Sequence, residues 1–265
     1  MKVRGLIGVV HLRPMPSDPA HRGGGFERVL DAARRDAAAL AEGGAAAMIV
    51  ENFGSAPFPK GTPEQPTPAH QIAMLARAVD ACLAFERPVG VNVLRNDAMA
   101  AIGIAAATGA SFVRVNVHCG AYVTDQGVIE GRAFETLRYR AVLDARDVAI
   151  LADVRVKHAS PLAPVSIEAE VGDVLHRGMA DAVVVTGAAT GAPVDAEVLA
   201  AVRAAAVEAP VVIGSGLCPE RAALAELADA AIVGTWLKHD GEVGRPVDPE
   251  RVRRLVEALR FRGDP

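Results

Sequence analysis

Eight short apolar runs alternate with amphipathic stretches along the 265-residue chain. The apolar runs cover residues 5–10, 46–50, 88–93, 111–117, 148–154, 182–186, 211–213 and 230–233. Helical periodicity covers residues 26–42 and 69–85, follows Asp97 up to Gly109, and resumes after residue 131, after Ser166, near Asp195, from Pro219 and over residues 249–260. This alternation predicts an α/β fold, a single (β/α)8 TIM barrel spanning residues 1–265. In such barrels the chemistry lies at the carboxyl ends of the strands.

The main alternative is an open, doubly wound sheet, which usually carries a GxGxxG fingerprint after its first strand. Here the first strand is followed by His11, Leu12, Arg13 and Pro14, which cannot serve as that fingerprint. Two long connections interrupt the pattern. The proline-rich residues 53–68 predict a lid or binding loop, and residues 119–131 are interpreted as a second irregular stretch.

Two glycine turns follow the last two strands, where many barrels bind phosphate. They are Gly214-Ser215-Gly216 and Gly234-Thr235. Glycine lets the backbone approach a ligand closely, and free N–H groups can donate to phosphate oxygens. The alternative is that both are ordinary turns, in which glycine is common. Their position favours a phosphate site.

The fourth apolar run alternates strictly between polar and apolar residues. Arg114, Asn116 and His118 share one face of the strand, and the valines between them share the other. The outer face of a barrel strand packs on helices, so the polar face is predicted to point into the barrel. Burying polar groups there is costly unless each is paired. For Arg114 we therefore favour a satisfied polar network, and for His118, at the strand's end, a functional role.

Polar residues also end several of the other strands. We expect them to surround one cavity together with the polar residues of the fourth strand. The full ring comprises His11, Glu51, Asn92, Asn116, His118, Asp153 and Lys157. So many converging polar groups indicate a ligand. Asp153 has three open roles: a general base, a metal ligand, or the partner of Arg114. Thr186 and Gly187, after the sixth strand, are further candidates for contacting substrate.

Known barrel chemistries narrow the choice. Amidohydrolase-type metal sites need His-x-His on the first strand, whereas this chain has only His11 there. Schiff-base aldolases need a lysine inside a late strand, whereas Lys157 stands at a strand tip and Lys238 beyond the eighth strand. Acid–base or glycosyl chemistry is left, with Glu51 and Asp153 as carboxylates, and His118 and Lys157 as proton donors or charge stabilisers. A divalent cation such as Mg²⁺ held by carboxylates stays open.

Composition excludes some partners. The net charge is −4 and the pI is about 6.0, without the basic patch of a nucleic-acid-binding protein. No apolar run reaches the ~18 residues of a membrane span, and the N-terminus lacks the pattern of a signal peptide. Cys82, Cys119 and Cys218 are odd in number and widely spaced, which indicates a reducing compartment. We therefore expect a cytoplasmic protein, and a homo-oligomer stays open.

Several of these segments resemble the BtpA/SgcQ family. The matching stretches include GVVHL at residues 8–12, ENFG at 51–54, GVNVLRND at 90–97, RVNVH at 114–118, TDQG at 124–127, ADV at 152–154, GSG at 214–216 and VGT at 233–235. The resemblance covers nearly the whole chain. It implies a barrel grouped with the ribulose-phosphate-binding barrels, but it implies no settled reaction.

Two hypotheses of function follow. The first is an enzyme acting on a small phosphorylated sugar or nucleoside-like metabolite. The second comes from the resemblance, since the family is named for a cyanobacterial protein needed for photosystem I accumulation, and another member lies in a bacterial sugar-uptake gene cluster. It makes the chain a non-catalytic assembly factor for a membrane complex. Arginines of the last helix would then touch an acidic partner, although a solvated helix face is the simpler interpretation.

Overall fold

The computed structural model describes residues 4–187 and 192–264, and its central feature is a closed barrel of eight parallel strands. The barrel strands are β1 Gly5–His11, β2 Ala47–Glu51, β3 Val89–Asn92, β4 Phe112–Val115, β7 Ala149–Val154, β9 Ala182–Val185, β10 Val211–Ile213 and β11 Ala230–Val233. They follow one another around the barrel in this order, and β11 pairs with β1 to close it. The predicted (β/α)8 barrel is confirmed.

Helices cover the outside of the barrel between successive strands. They are α1 Gly25–Glu42, α2 Ala69–Leu83, α3 Ala98–Thr108, α4 Ala133–Val142, α5 Ile167–Gly172, α6 Ala196–Ala206 and α7 Pro249–Ala258. The predicted caps are confirmed, because Asp97 accepts from the Ala100 N–H and Ser166 from the Ala169 N–H. The helix predicted from Pro219 is a 3-10 segment, Pro219–Leu227, interrupted by non-helical backbone at Arg221.

The barrel interior is filled at its lower levels by aliphatic side chains and one aromatic ring. Phe112 is fully buried there, and a Cβ atom on Gly90 would lie 2.1 Å from its ring. Glycine on β3 therefore makes room for the ring on β4, which is hydrogen-bonded to it. Val113 and Val115 point outward and pack beneath the helices. The alternation predicted for this strand is confirmed as far as Val115, with Phe112 and Arg114 inside.

A small antiparallel sheet stands where an irregular stretch was expected. Strands β5 Ala121–Thr124 and β6 Gly127–Glu130 form a hairpin, and β8 Ala159–Pro161 pairs with β5. The interpretation of residues 119–131 as irregular was wrong. The stretch alternates, so that Tyr122 and Ile129 bury against Val117 and Val156, while Val123 and Val128 face outward. The Tyr122 hydroxyl also donates to Glu170 of α5.

Among the helices that the structure describes, none is both long enough and apolar enough to cross a membrane.

Candidate functional site

The carboxyl ends of the barrel strands enclose two adjoining cavities. The first, of about 250 Å³, lies over β10 and β11 and is called the glycine lobe. The second, of about 360 Å³, lies over β3 and β4 and is called the asparagine lobe. Glu51, Phe53, Arg114 and Lys157 border both lobes. The two lobes therefore meet at a carboxylate and an amine.

Both predicted glycine turns line the glycine lobe. Gly214, Ser215, Gly216, Gly234 and Thr235 all belong to its wall. The backbone packs tightly at these glycines. A Cβ atom on Gly216, whose φ is +73°, would lie 2.1 Å from the Ala192 carbonyl oxygen, and one on Gly234 would lie 2.5 Å from His11 Cε1. Larger residues at these two positions would collide with the neighbouring chain.

Backbone donors in the same wall lack acceptors. Thr235 and Trp236 open a short 3-10 segment, Thr235–Leu237, whose first internal bond comes from the Leu237 N–H. Within residues 4–187 and 192–264, the N–H groups of Gly216, Thr235 and Trp236 donate to no acceptor. Arg221 adds a guanidinium to the wall. Unpaired donors beside a cation form an environment suited to an anion.

Three of the residues predicted to contact ligand take part in hydrogen bonds that join neighbouring loops. The Ser215 hydroxyl accepts from the Gly187 N–H at 3.1 Å and donates to the Ala192 carbonyl at 3.3 Å. The Thr186 hydroxyl donates to the Arg155 carbonyl at 3.3 Å. Ser215 still borders the glycine lobe, whereas Thr186 and Gly187 border neither lobe.

A hydrogen-bonded polar network lies under the lobes, although Asn92 Oδ1 is buried without a partner among the described residues. Nε and Nη2 of Arg114 donate to the two carboxylate oxygens of Asp153 at 2.8 and 2.9 Å. Asn116 Nδ2 donates to Asp153 Oδ2 at 3.0 Å, and Asn92 Nδ2 donates to Asn116 Oδ1 at 3.1 Å. Burial acts to lower the pKa of Arg114, but the charge and hydrogen bonds of Asp153 outweigh it and raise that pKa. Of the three roles left open for Asp153, the structure shows the partner of Arg114.

Glu51 and Lys157, between the lobes, are charged groups without such pairing. The Glu51 side chain is buried, and among the described residues its carboxylate accepts no hydrogen bond and forms no ion pair within 4.0 Å. The Lys157 amine likewise has no hydrogen-bond partner in the described part of the chain. Its pKa is lowered by burial and by Arg114, and Glu51 partly offsets the shift. A carboxylate and an amine with these properties can exchange protons with a bound molecule.

His11 lies beside them as a neutral ring. Its centroid is 4.6 Å from that of Phe53, and its Nδ1 atom is buried without a partner in the described residues. Burial, followed by the charges of Lys238 and Lys157, holds the pKa of His11 well below its usual range. At neutral pH His11 therefore presents an uncharged imidazole to the glycine lobe.

The structure separates His118 from the mouth, which corrects the prediction of a single ring of seven residues. Its Nε2 atom lies 2.8 Å from the Gly178 carbonyl oxygen, and the side chain borders neither lobe. The physical reason is that β4 ends at Val115. Asn96 then bonds both the N–H and the carbonyl of Val117, which ends the strand alternation.

Sequence reasoning missed several side chains of the mouth, including the following four. Phe58 and Arg95 border the asparagine lobe, and Arg221 and Trp236 border the glycine lobe. Arg95 follows β3 directly, so its place after a barrel strand was a usable signal. The other three lie in connections whose path the apolar pattern does not determine. Phe53 and Phe58 also place the start of the predicted lid, residues 53–68, beside the mouth.

No metal centre is evident in the described ranges, which contain no group of three His, Cys, Asp or Glu side chains arranged to hold an ion. The predicted alternative of a carboxylate-bound Mg²⁺ therefore has no assigned ligands, and it stays a prediction.

Comparison with other sequences identifies relatives over nearly the whole chain. The model of the BtpA family matches residues 2–260. The photosystem I biogenesis protein BtpA of Synechocystis is 45% identical over 255 residues, covering 96% of this chain and 87% of that protein. An uncharacterized protein of Thermococcus kodakarensis is 46% identical, covering 95% and 94%. An uncharacterized mitochondrial protein of Caenorhabditis elegans is 30% identical, covering 95% and 91%.

Solved structures with the same fold are much more distant in sequence. Tryptophan synthase from M. tuberculosis has a TM-score of 0.59 at 18% identity, over 97% of this chain and 93% of that one. N-(5'-phosphoribosyl)anthranilate isomerase from Pyrococcus furiosus has a TM-score of 0.54 at 14% identity, over 97% and 98%. KGPDC from Streptococcus mutans has a TM-score of 0.58 at 7% identity, over 97% of both chains. These likenesses show the barrel fold.

Proposed function

The chain belongs to the BtpA family, and we propose that it is an enzyme that acts on a phosphorylated sugar or nucleoside-like metabolite at the mouth of its barrel. One observation carries the proposal. In the part of the chain that the structure describes, backbone donors of the glycine lobe without acceptors lie next to an unpaired buried carboxylate, Glu51, and an amine, Lys157. The first group suits an anion and the second suits proton transfer.

The phosphate group is assigned to the glycine lobe. The N–H groups of Gly216, Thr235 and Trp236 would donate to its oxygens, and Arg221 would supply the balancing charge. Gly214 and Gly234 keep the wall low enough for a phosphate to approach the backbone, and Ser215 holds the turn in place. One of the neighbours in fold is named for a phosphoribosyl compound, which supports this class of ligand.

The reacting centre is assigned to the junction of the two lobes. Glu51 would act as base or nucleophile, and Lys157 would donate a proton or stabilise developing negative charge. Neutral His11 and the amides of Asn92 and Asn116 would contact the hydroxyl groups of the sugar. In this proposal Asp153 and His118 are not catalytic residues. Asp153 positions Arg114 and Asn116 beneath the ligand, and His118 holds the Gly178 region.

A thermal-shift screen of ribose 5-phosphate, other phosphorylated sugars and nucleotides, with and without Mg²⁺, tests this proposal. A ligand at ~100 times its Kd adds about 2.7 kcal/mol of stability to the folded state. We expect a shift that Arg221→Gln reduces and Arg138→Gln, an exposed substitution on α4, leaves unchanged. With the substrate in hand, Glu51→Gln should abolish turnover while binding persists. A folded protein that responds to no phosphorylated compound would contradict the proposal.

The assembly-factor hypothesis rests on the name of the Synechocystis relative. Nothing in the described part of this chain favours it specifically. The arginines at and just after the last helix are paired with acids in three cases: Arg253 contacts Glu250, Arg254 contacts Glu220, and Arg262, beyond the helix, contacts Glu208. The simpler interpretation, a solvated helix face, fits these exposed pairs.

A further inference from the structure

Arg95 is a buried cation in the wall of the asparagine lobe. The residue is only 5% exposed, and its Nη2 atom donates to the Lys157 carbonyl oxygen at 2.8 Å. No carboxylate lies within 4.0 Å of its guanidinium among the described residues, because none of their ion pairs includes Arg95. A guanidinium has five N–H donors, so most of its hydrogen-bonding capacity is unused.

Two other cations are as deeply buried in the described residues, Arg114 and Lys238, and both are paired. Arg114 has Asp153, and Lys238 has Asp36, with Nζ 2.5 Å from Oδ2. Leaving a buried charge without a partner is strongly unfavourable. Arg95 lacks such a carboxylate partner, and it borders the asparagine lobe, a cavity of about 360 Å³.

The charges around Arg95 do not supply the missing partner. Burial lowers the pKa of Arg95, and Asp153, Asp125 and Glu51 oppose that shift only from a distance. Asp153 is already bonded to Arg114, and Asp125 lies on the rim, where water and salt screen its charge. Glu51 is left as an unpaired buried carboxylate in the described structure, and it faces two cations, Arg95 and Lys157.

We propose that the asparagine lobe is a second anion subsite, in which the Arg95 guanidinium binds a carboxylate or phosphate at the far end of the substrate. The planar fork of a guanidinium matches either group through two parallel hydrogen bonds. Together with the phosphate of the glycine lobe, the substrate is then anionic at both ends, and its central atoms lie at Glu51. This inference rests on the proposed function only in taking the phosphate of the glycine lobe as the first anionic group.

The test compares ribose 5-phosphate, with one anionic group, and ribulose 1,5-bisphosphate, with two, by calorimetric titration. We expect the wild-type protein to bind the bisphosphate at least about tenfold more tightly. Arg95→Gln should remove that advantage and leave the affinity for ribose 5-phosphate unchanged, while Arg95→Lys should restore part of it. Arg140→Gln is the control, because Arg140 also donates to a backbone carbonyl, that of Val148, but lies away from the mouth, where it is half-buried and pairs with Asp181.

Each outcome separates this inference from the proposed function. Equal affinities for the two sugars, or an advantage that survives Arg95→Gln, would overturn the second subsite while leaving the phosphate site of the glycine lobe intact. If neither sugar binds, the phosphate assignment fails, and a crystal soaked in tungstate decides the subsite by itself. An anomalous peak at the Arg95 guanidinium that Arg95→Gln removes would support the subsite, and no peak there would overturn it.

Discussion

Two sets of charged side chains lie in the barrel mouth, and they differ in whether their charges are paired. In the lower set, Arg114 and Asp153 satisfy each other through two hydrogen bonds, with Asn116 as a third contact. In the upper set, Glu51, Arg95 and Lys157 border open cavities, and no ion pair joins them in the described structure. Burial alone therefore does not mark a functional group. The difference indicates that the lower set serves the fold and the upper set serves a ligand.

The largest effect is expected from breaking the lower set. Asp153→Asn places an amide NH₂ against the donors of Arg114 and Asn116 and leaves a buried guanidinium without its counter-charge. We expect the free energy of unfolding to fall by about 3–5 kcal/mol, measured by urea denaturation. A loss below about 1 kcal/mol would show that Asp153 does not hold the lower set together.

A glycine in the wall of the glycine lobe should give a smaller effect. Gly234→Ala places a methyl group 2.5 Å from His11 Cε1, so the ring or the strand must move. We expect a loss of about 1–3 kcal/mol in urea denaturation. The matched control is Gly172→Ala in α5, where a Cβ atom meets nothing within 4 Å and alanine should stabilise the helix slightly. Equal effects of the two substitutions would mean that the wall at Gly234 is not tightly packed.

The pH dependence of stability tests the uncharged state of His11. Because burial depresses its folded-state pKa, the unfolded chain takes up the proton first as the pH falls below about 6.5. The free energy of unfolding should therefore fall from about pH 6.5 down to the folded-state pKa, by about 1.4 kcal/mol for each unit of depression. His118 is shifted in the same direction, so His11→Gln should reduce this slope without abolishing it. An unchanged slope would mean that folding does not depress the pKa of His11.

The smallest change in stability is expected at Glu51. Its carboxylate forms no hydrogen bond in the described structure, so Glu51→Gln removes no partner and should alter the free energy of unfolding by less than about 1 kcal/mol. Urea denaturation beside Asp153→Asn gives the comparison directly. A loss as large as that of Asp153→Asn would place Glu51 among the residues that hold the fold.

The barrel itself was predictable because its strands and helices have recognisable patterns of apolar residues in the sequence. The strand-end polar residues were predictable for the same reason, and Glu51, Asn92 and Lys157 do border the mouth. The prediction failed where the alternation stops before the chain leaves the barrel. His118 turns away after Val115, and its ring lies against the Gly178 carbonyl instead of the mouth.

Pairing was harder to predict than position. The sequence left Asp153 with three roles, because the choice depends on a side-chain geometry that no spacing encodes. The hairpin of β5 and β6 was not predicted, because its strands are short and only one face is buried. Arg221 and Trp236 enter the mouth from connections without a regular period, so only the folded structure brings them to the glycine turns.

The most direct test of the difference between the two sets is one urea titration of wild type, Asp153→Asn and Arg95→Gln, with and without saturating inorganic phosphate. We predict that Asp153→Asn loses stability without phosphate but keeps the increment that phosphate adds. Arg95→Gln should keep wild-type stability within about 1 kcal/mol and lose part of that increment. Equal losses of stability in the two variants, or an undiminished increment in Arg95→Gln, would contradict the division into a fold-holding set and a ligand-holding set.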